Sequence, residues 1–151
     1  MPGVIVSDTS CLILFHKIGE FDLLKKLFAK LQITDTVLKE FNQPLPDWIE
    51  VVELKTDVHK GLSSYLDTGE ASSIALAYEL RESLLIIDEI KGRRAAKEMG
   101  IPVTGSLGVL IAAKSKGHLK AVKPIINKIQ KTNFRISEEL IERVLIKVNE
   151  F

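Results

Sequence analysis

Residues 84–88 read LLIID, a run of four large apolar residues that ends in an aspartate. A continuous apolar run of this length is typical of a strand buried on both faces of a parallel sheet. A second such run, GVIVS, occupies residues 3–7, and Asp8 follows it directly. The sequence therefore predicts two buried strands that each lead into a carboxylate.

Segments with helical periodicity alternate with short apolar runs along the rest of the chain, which indicates an α/β fold with a mostly parallel central sheet. Three further strands are predicted at residues 31–34, 48–54 and 101–104, and the second of these alternates apolar and polar residues as an edge strand does. Helices are predicted at residues 11–18, 21–28, 36–41, 58–65, 70–83, 92–100, 106–117, 121–131 and 138–148. No repeat or linker interrupts this order, so a single domain is expected over residues 1–151.

Hydroxyl or carboxyl side chains stand where three of the helices are predicted to begin. Ser10 is predicted to cap the first helix, Thr34 or Asp35 the third, and Ser137 the last, because a side-chain oxygen at this position accepts a free backbone N–H. These caps set the predicted starts of the helices.

Composition limits the classes of protein to which the chain can belong. Hydrophobic residues make up 46% of the sequence and charged residues 27%, as in an ordinary globular domain. No apolar run approaches the roughly 18 residues of a membrane span, and the N-terminus lacks the features of a secretory signal. A cytoplasmic protein is therefore expected. The lone Cys11 excludes an intramolecular disulfide, and its apolar neighbours predict a buried thiol.

Charge is distributed unevenly, although the formal net charge is only +1. Between residues 114 and 151 there are nine Lys or Arg and four Glu. This local excess could guide a nucleic acid to a neighbouring acidic site, and it also fits a solvated helix face. The charge therefore permits a polyanionic partner without requiring one.

Acidic residues occupy positions that a parallel sheet would bring together. Ligands of such sheets bind beyond the carboxyl ends of the strands, where Asp8 and Asp88 are expected. Glu70 falls in the first turn of a helix of small and apolar residues, so its carboxylate should point to the same edge. Glu40, near the end of a helix, and Glu89, next to Asp88, are further candidates. Each acid alone also fits a capping, turn or surface residue; their joint occurrence indicates a site.

Carboxylates that converge without Lys or Arg repel one another strongly unless a cation is present. Sites built only from oxygen ligands suit Mg²⁺ or Mn²⁺. Such an ion can polarise a phosphodiester and activate water, so phosphodiester hydrolysis is the predicted reaction. Arg93, about one helical turn beyond Asp88, is predicted to bind a substrate phosphate.

The segments around these acids resemble the motifs of PIN-domain proteins, in the branch with D-T-S, L-x-x-G-E-A before I-A-L-A, and L-L-I-x-D before G-R-x-A. They stand here at residues 8–10, at 66–71 with 74–77, and at 84–88 with 92–95. The later segment VTGSLGVLIAAKSKG, residues 103–117, is similar to the same branch. The resemblance covers about residues 3 to 118, and its specificity comes from the order and spacing of the motifs.

This resemblance implies a three-layer α/β/α fold and a ribonuclease that depends on Mg²⁺ or Mn²⁺. It implies four catalytic acids, which are Asp8, Glu40, Glu70 and Asp88. Three of them would bind the metal, namely Asp8, Glu70 and Asp88. Many relatives are toxins of toxin-antitoxin pairs, so RNA and an antitoxin protein are the expected partners.

Auxiliary roles also follow from the resemblance. Ser10 and Ser106 would hydrogen-bond the acids or the waters of the metal. Glu89 stands where relatives commonly have a second Asp, which leaves open whether Asp88 or Glu89 faces the metal.

Other α/β classes fit the sequence less well. A phosphotransferase of the haloacid-dehalogenase type needs an acid where this chain has Ser10, and a response-regulator receiver needs a lysine after the last strand, which here ends at Thr104. Neither a dinucleotide fingerprint nor a P-loop is present, so no nucleotide cofactor is expected. The remaining alternative is a non-catalytic PIN-like module that binds RNA or protein.

Apolar residues of the last three predicted helices suggest self-association. They are more numerous than one side of a small sheet is expected to cover, which predicts a homodimer or contact with an antitoxin segment. The set comprises Val109, Leu110, Ile125, Ile126, Ile129, Leu140, Ile141, Val144 and Leu145.

Overall fold

Five parallel strands organise residues 3–151, the part of the chain that this computed structural model describes. Met1 and Pro2, which open the expected domain, lie outside the described residues. The strands are β1 (Val4–Ser7), β2 (Leu31–Ile33), β3 (Ile49–Val51), β4 (Ser83–Ile86) and β5 (Val103–Thr104). Their order is β3-β2-β1-β4-β5, and every neighbouring pair is parallel, which confirms the predicted sheet.

Helices connect the strands and cover both faces of the sheet. In the described part of the chain they are α1 (Thr9–Lys17), α2 (Phe21–Phe28), α3 (Asp35–Phe41), α4 (Val58–Leu62), α5 (Thr68–Leu80), α6 (Ile90–Glu98), α7 (Ser106–Ser115), α8 (Lys123–Gln130) and α9 (Glu138–Lys147). Each lies within a few residues of its predicted position.

Two hydrophobic clusters lie on opposite faces of the sheet, because side chains alternate along a strand. Ile5 and Ile86 belong to the cluster covered by α1, α2, α3 and α7 to α9. Val6 and Leu85, their chain neighbours, belong to the cluster covered by α4 to α6. The fold is therefore the three-layer α/β/α architecture implied by the resemblance.

Strand lengths differ from the prediction at both edges of the sheet. The edge strand expected at 48–54 is limited to Ile49–Val51, because its neighbour β2 offers only three residues for pairing. The strand expected at 101–104 begins at Val103, since Pro102 has no N–H to donate to a ladder.

Side-chain caps fix the starts of several helices. Thr34 caps α3 by accepting the N–H of Val37 at 3.1 Å, and Ser137 caps α9 as predicted. The predicted cap of α1 was wrong, because Asp8 takes the role assigned to Ser10. The chain leaves the sheet at Asp8, so this residue has the extended backbone that a cap requires.

The connections reverse direction between β1 and β4. From β1 the chain builds β2 and β3 on one side, and it then crosses to build β4 and β5 on the other. Ser7 pairs with Ile86 in the register of these two strands. Asp8 and Asp88 therefore flank the point at which the strand order reverses, the place where open α/β sheets bind ligands.

Seven of the nine apolar residues behind the self-association hypothesis are buried within the chain. Leu140 is exposed and Ile141 half-buried, both on α9. The homodimer loses its supporting argument and stays an untested prediction. Within residues 3–151 no helix is long and apolar enough to cross a membrane.

Glu150 joins the end of the chain to two helices. Its carboxylate accepts hydrogen bonds from Lys114 Nζ at 2.9 Å and from the backbone N–H groups of Val122 and Lys123 at 2.7 and 2.9 Å. Burial alone would raise the pKa of Glu150, but these donors lower it to about 2. Its contribution to stability is therefore present above the ordinary pKa and lost as the pH falls through about 2.

We expect Glu150→Gln to lower the free energy of unfolding by about 2 kcal/mol, because it weakens three charge-assisted hydrogen bonds. Thermal melts at pH 7 should show a loss of roughly 4–8 °C. Glu142→Gln, an exposed change on α9, is the matched control. Equal melting temperatures for the two variants would contradict the role of Glu150.

Candidate functional site

Asp8 lies directly after β1 and caps α1. Its backbone N–H donates to the carbonyl of Ile86 at 3.1 Å, and its Oδ1 accepts the N–H of Cys11 at 3.0 Å. Only 2% of Asp8 is exposed. Burial raises its pKa from 3.8 to about 7, opposed by hydrogen bonds from Cys11 and reinforced by the charges of Asp88 and Asp67. The ionised form of Asp8 therefore lacks a compensating positive charge.

Asp88 follows β4 and is held at the N-terminus of α7. Its Oδ1 accepts the backbone N–H of Ser106 at 2.8 Å, and its Oδ2 accepts the Ser106 hydroxyl at 2.6 Å. Gly105 permits this approach, because a Cβ there would lie 2.6 Å from Asp88 Oδ1. Ser106 thus makes a hydrogen bond to an acid of the kind that the resemblance implies.

Cys11 contacts both strand-end aspartates. Its Sγ donates to Asp88 Oδ2 at 3.1 Å and lies 3.4 Å from Ser106 Oγ. The thiol is buried as predicted, and burial together with the charges of Asp8 and Asp88 raises its pKa well above the ordinary value. Cys11 is therefore a neutral donor that helps to hold Asp88. The sequence signal for this role is its position three residues, or one helical turn, after Asp8.

Glu70 reaches the same edge of the sheet from the first turn of α5. Asp67 caps this helix by accepting the Glu70 N–H at 2.8 Å. The Glu70 carboxylate lies against Gly92, where a Cβ would be 3.1 Å from Oε2. Burial, then the hydrogen bond and charge of Asp67, and then the charges of Asp8 and Glu89 raise the pKa of Glu70 to about 8. Asp67 was not predicted from the sequence as a site residue. Asp67 and Glu70 form a D-x-x-E pattern that resembles a capping box, and this pattern could have indicated its position.

Five carboxylates therefore influence one another beyond the carboxyl ends of β1 and β4. We refer to Asp8, Asp67, Glu70, Asp88 and Glu89 as the acidic cluster. Among residues 3–151 no Lys or Arg forms an ion pair with any of its members. The cluster is therefore a concentration of negative charge without a direct ion-pair partner among these residues.

Glu89 and Asp88 point to different surroundings. Glu89 is exposed and shares with Glu70 and Asp67 the lining of a cavity of about 200 Å³. Asp88 is instead turned towards Ser106 and Cys11. Asp88 therefore neighbours Asp8, and Glu89 neighbours Glu70.

Glu40 lies outside the acidic cluster. Its carboxylate accepts hydrogen bonds from the hydroxyls of Thr9 at 2.5 Å and Thr68 at 3.4 Å. It approaches the backbone of Gly69 so closely that a Cβ there would lie 2.2 Å from its Oε1. Glu40 therefore ties α3 to the first turns of α1 and α5, next to the cluster.

Ser10 and Lys91 line the same cavity as Glu70. Ser10 is exposed, and within the described chain its hydroxyl makes no hydrogen bond to an acidic side chain. Lys91 was not predicted as a site residue. It is nevertheless the positively charged side chain among the residues that line this cavity.

Arg93 does not point into the cavity as a free phosphate ligand. Its Nη1 donates to the carbonyl of Ile87 at 2.9 Å and would lie 3.1 Å from a Cβ on Gly105. The guanidinium therefore stabilises the turn after β4. Binding of a substrate phosphate by Arg93 stays a prediction.

The donor set matches a hard divalent cation in chemistry and charge. Oxygen ligands of aspartate and glutamate suit Mg²⁺ and Mn²⁺. Two carboxyl groups with raised pKa values and no cationic partner also fit a site that a cation completes. Across residues 3–151, however, no three His, Cys, Asp or Glu side chains converge as a ready-made metal site.

Comparison with protein families gives a match over nearly the whole chain. The matching family is DUF3368, described as a PIN domain, and it covers residues 4–150. The chain belongs to the PIN-domain family. The fold of this PIN domain is therefore of a nuclease type, in a family that typically uses divalent metals. A comparison with curated proteins gives no match. The toxin-antitoxin branch stays a prediction.

Proposed function

We propose that this PIN domain is a metal-dependent ribonuclease that hydrolyses RNA phosphodiester bonds. Asp8, Glu70 and Asp88 would hold Mg²⁺ or Mn²⁺. The observation that carries the proposal is the acidic cluster, which lies at the reversal of strand order and has no ion-pair partner within residues 3–151. A bound divalent cation would supply polarisation of the phosphodiester and activation of water.

Neighbouring residues would orient the carboxylates. Ser106 donates two hydrogen bonds to Asp88 and Cys11 donates a third, so Asp88 cannot turn away from Asp8 without losing them. Asp67 fixes the first turn of α5, and with it the starting point of the Glu70 side chain. Lys91, on the cavity wall, would bind a non-bridging phosphate oxygen of the substrate.

Cleavage assays test this proposal directly. The purified chain should cleave a long single-stranded RNA in Mg²⁺ or Mn²⁺, and cleavage should stop in EDTA and return when excess metal is added. Gel analysis of end-labelled RNA would show the products. Cleavage at the same rate in EDTA would contradict the metal dependence.

A second candidate is a module that binds RNA or protein without cleaving. Within residues 3–151 no group of three or more His, Cys, Asp or Glu side chains is arranged as a metal site, and this is compatible with such a module. RNA binding without cleavage in any divalent metal would select this alternative. A toxin role would require growth arrest on expression and its relief by an antitoxin protein.

A further inference from the structure

A groove leads away from the acidic cluster along α1. Its first part is a cavity of about 220 Å³ lined by Ser10, Ile13 and Lys17 of α1 and, opposite them, by residues 132–134. Ser10 also lines the cavity that contains Glu70, so the two cavities meet at this residue. The groove therefore starts at the site of the proposed reaction.

The far end of the groove is basic. Lys17 and residues 132–133 continue into a cavity of about 620 Å³, which Lys128 and Lys131 also line. Lys128 pairs with Glu20, whereas Lys17 and Lys131 form no ion pair with an acid within residues 3–151. The lining of these two cavities contains three lysines and no acidic residue. Their charge is opposite to that of the acidic cluster.

Apolar and aromatic surface lies between the two charged ends. Ile13 is 41% exposed on α1, although it is a large hydrophobic residue. Phe134 is half-buried and lines the groove opposite it. Ser10 and Lys17 are seven residues apart, which along a helix is about 10 Å, or roughly three stacked nucleotides. The distance from Ser10 to Lys17 therefore suits about three nucleotides, with bases at the apolar surface and backbone phosphates at the lysines.

We propose that this groove binds the single-stranded RNA flanking the scissile phosphate. A base stacks on Phe134 and Ile13, while Lys17 and Lys131 bind backbone phosphates on the side away from the acidic cluster. The acidic cluster lies at one end of the groove and the lysines lie at the other. A ligand with one phosphate at the cluster and further phosphates at the lysines must be a continuous polyanion, and this favours a polynucleotide. This inference rests on the proposed function for its assignment to RNA.

Binding measurements in EDTA test the groove separately from catalysis. The probe is a fluorescein-labelled single-stranded RNA of ten nucleotides and mixed sequence, and the readout is anisotropy from 50 to 300 mM KCl. Lys17→Ala with Lys131→Ala should weaken binding by about tenfold or more at 0.1 M salt and reduce the salt slope by about 1.4, because two phosphate contacts are lost. Phe134→Leu should weaken binding about fivefold with an unchanged slope.

Matched control variants lie at the opposite edge of the sheet. Lys55 and the exposed Tyr78 line a cavity beside Ser83 and Pro102, at the amino ends of β4 and β5. Lys55→Ala and Tyr78→Leu should therefore bind the RNA like the unmodified chain. Circular dichroism of each variant verifies that the fold is kept.

Two results would contradict the proposed binding of single-stranded RNA by this groove. These are groove variants that bind as tightly as the controls, and equal binding of an RNA duplex. Failure of the proposed function has a different signature, since metal-dependent cleavage would then be absent while the groove variants still lost RNA binding in EDTA.

Discussion

Asp8→Asn is expected to lower the rate of metal-dependent RNA cleavage by at least about a hundredfold. The substitution removes one ligand charge while the shape of the side chain is kept, and even indirect partners of metal ligands cost about 10–100-fold when they are changed. Asparagine caps helices as well as aspartate does, so α1 should still begin at residue 9. A lower cleavage rate would therefore result from the missing negative charge and not from a change in the fold.

Single-turnover cleavage of end-labelled RNA in Mn²⁺ measures this effect. Asp57→Asn is the control, because Asp57 is exposed and also precedes a helix but lies outside the acidic cluster. The control should cleave at the unmodified rate. An unchanged rate for Asp8→Asn would remove this residue from the proposed site.

Stability of the metal-free chain is expected to fall as the pH rises from about 4 to 8. The folded-state pKa of Asp8 is raised from 3.8 to about 7, so its contribution is fully present below the unfolded pKa and lost as the pH passes through 7. Between pH 4.5 and 8 this amounts to about 3 kcal/mol. Glu70, with its pKa raised to about 8, acts in the same direction. Glu150 does not contribute to this trend, because it loses its stabilising charge only in strong acid.

Urea unfolding in EDTA at pH 4.5 and pH 8 measures the loss. Asp8→Asn should abolish the part of the loss that comes from Asp8 and leave the part that comes from Glu70, so that at pH 8 the variant is more stable than the unmodified chain. Mn²⁺ at about 100 times its dissociation constant should restore roughly 2.7 kcal/mol to the unmodified chain at pH 8, and much less to the variant. Equal pH dependence in the two proteins would show that Asp8 ionises freely, and it would contradict the uncompensated site.

The sequence predicts the centre of the fold better than its edges. Apolar runs before Asp8 and Asp88 predict β1 and β4 closely, because a strand buried on both faces consists mainly of apolar residues. At β3 and β5 the pairing partners and Pro102 determine the length, and these depend on neighbours distant in the chain. A local pattern does not contain that information.

The candidate site is predicted where the backbone alone decides the position of a residue. Asp8, Glu70 and Asp88 sit at strand or helix ends, so the topology brings them to one edge. The contact of the Cys11 thiol with Asp88 depends on the direction of the side chain. The apolar neighbours of Cys11 in the sequence indicate burial but do not indicate this direction. Arg93 likewise turns to a carbonyl of its own loop.

The acidic cluster cannot form until β4, the strand that pairs with β1, has been synthesised. This pairing joins Val4 to Ser83 and brings Asp8 beside a strand synthesised long after it. Ser106, which holds Asp88, comes later still. Contacts between such distant segments form slowly, because a long loop must close before they stabilise anything. A nascent chain that ends before Ser83 therefore has Asp8 without β4 and without Asp88, and the acidic cluster can form only after that strand has been synthesised.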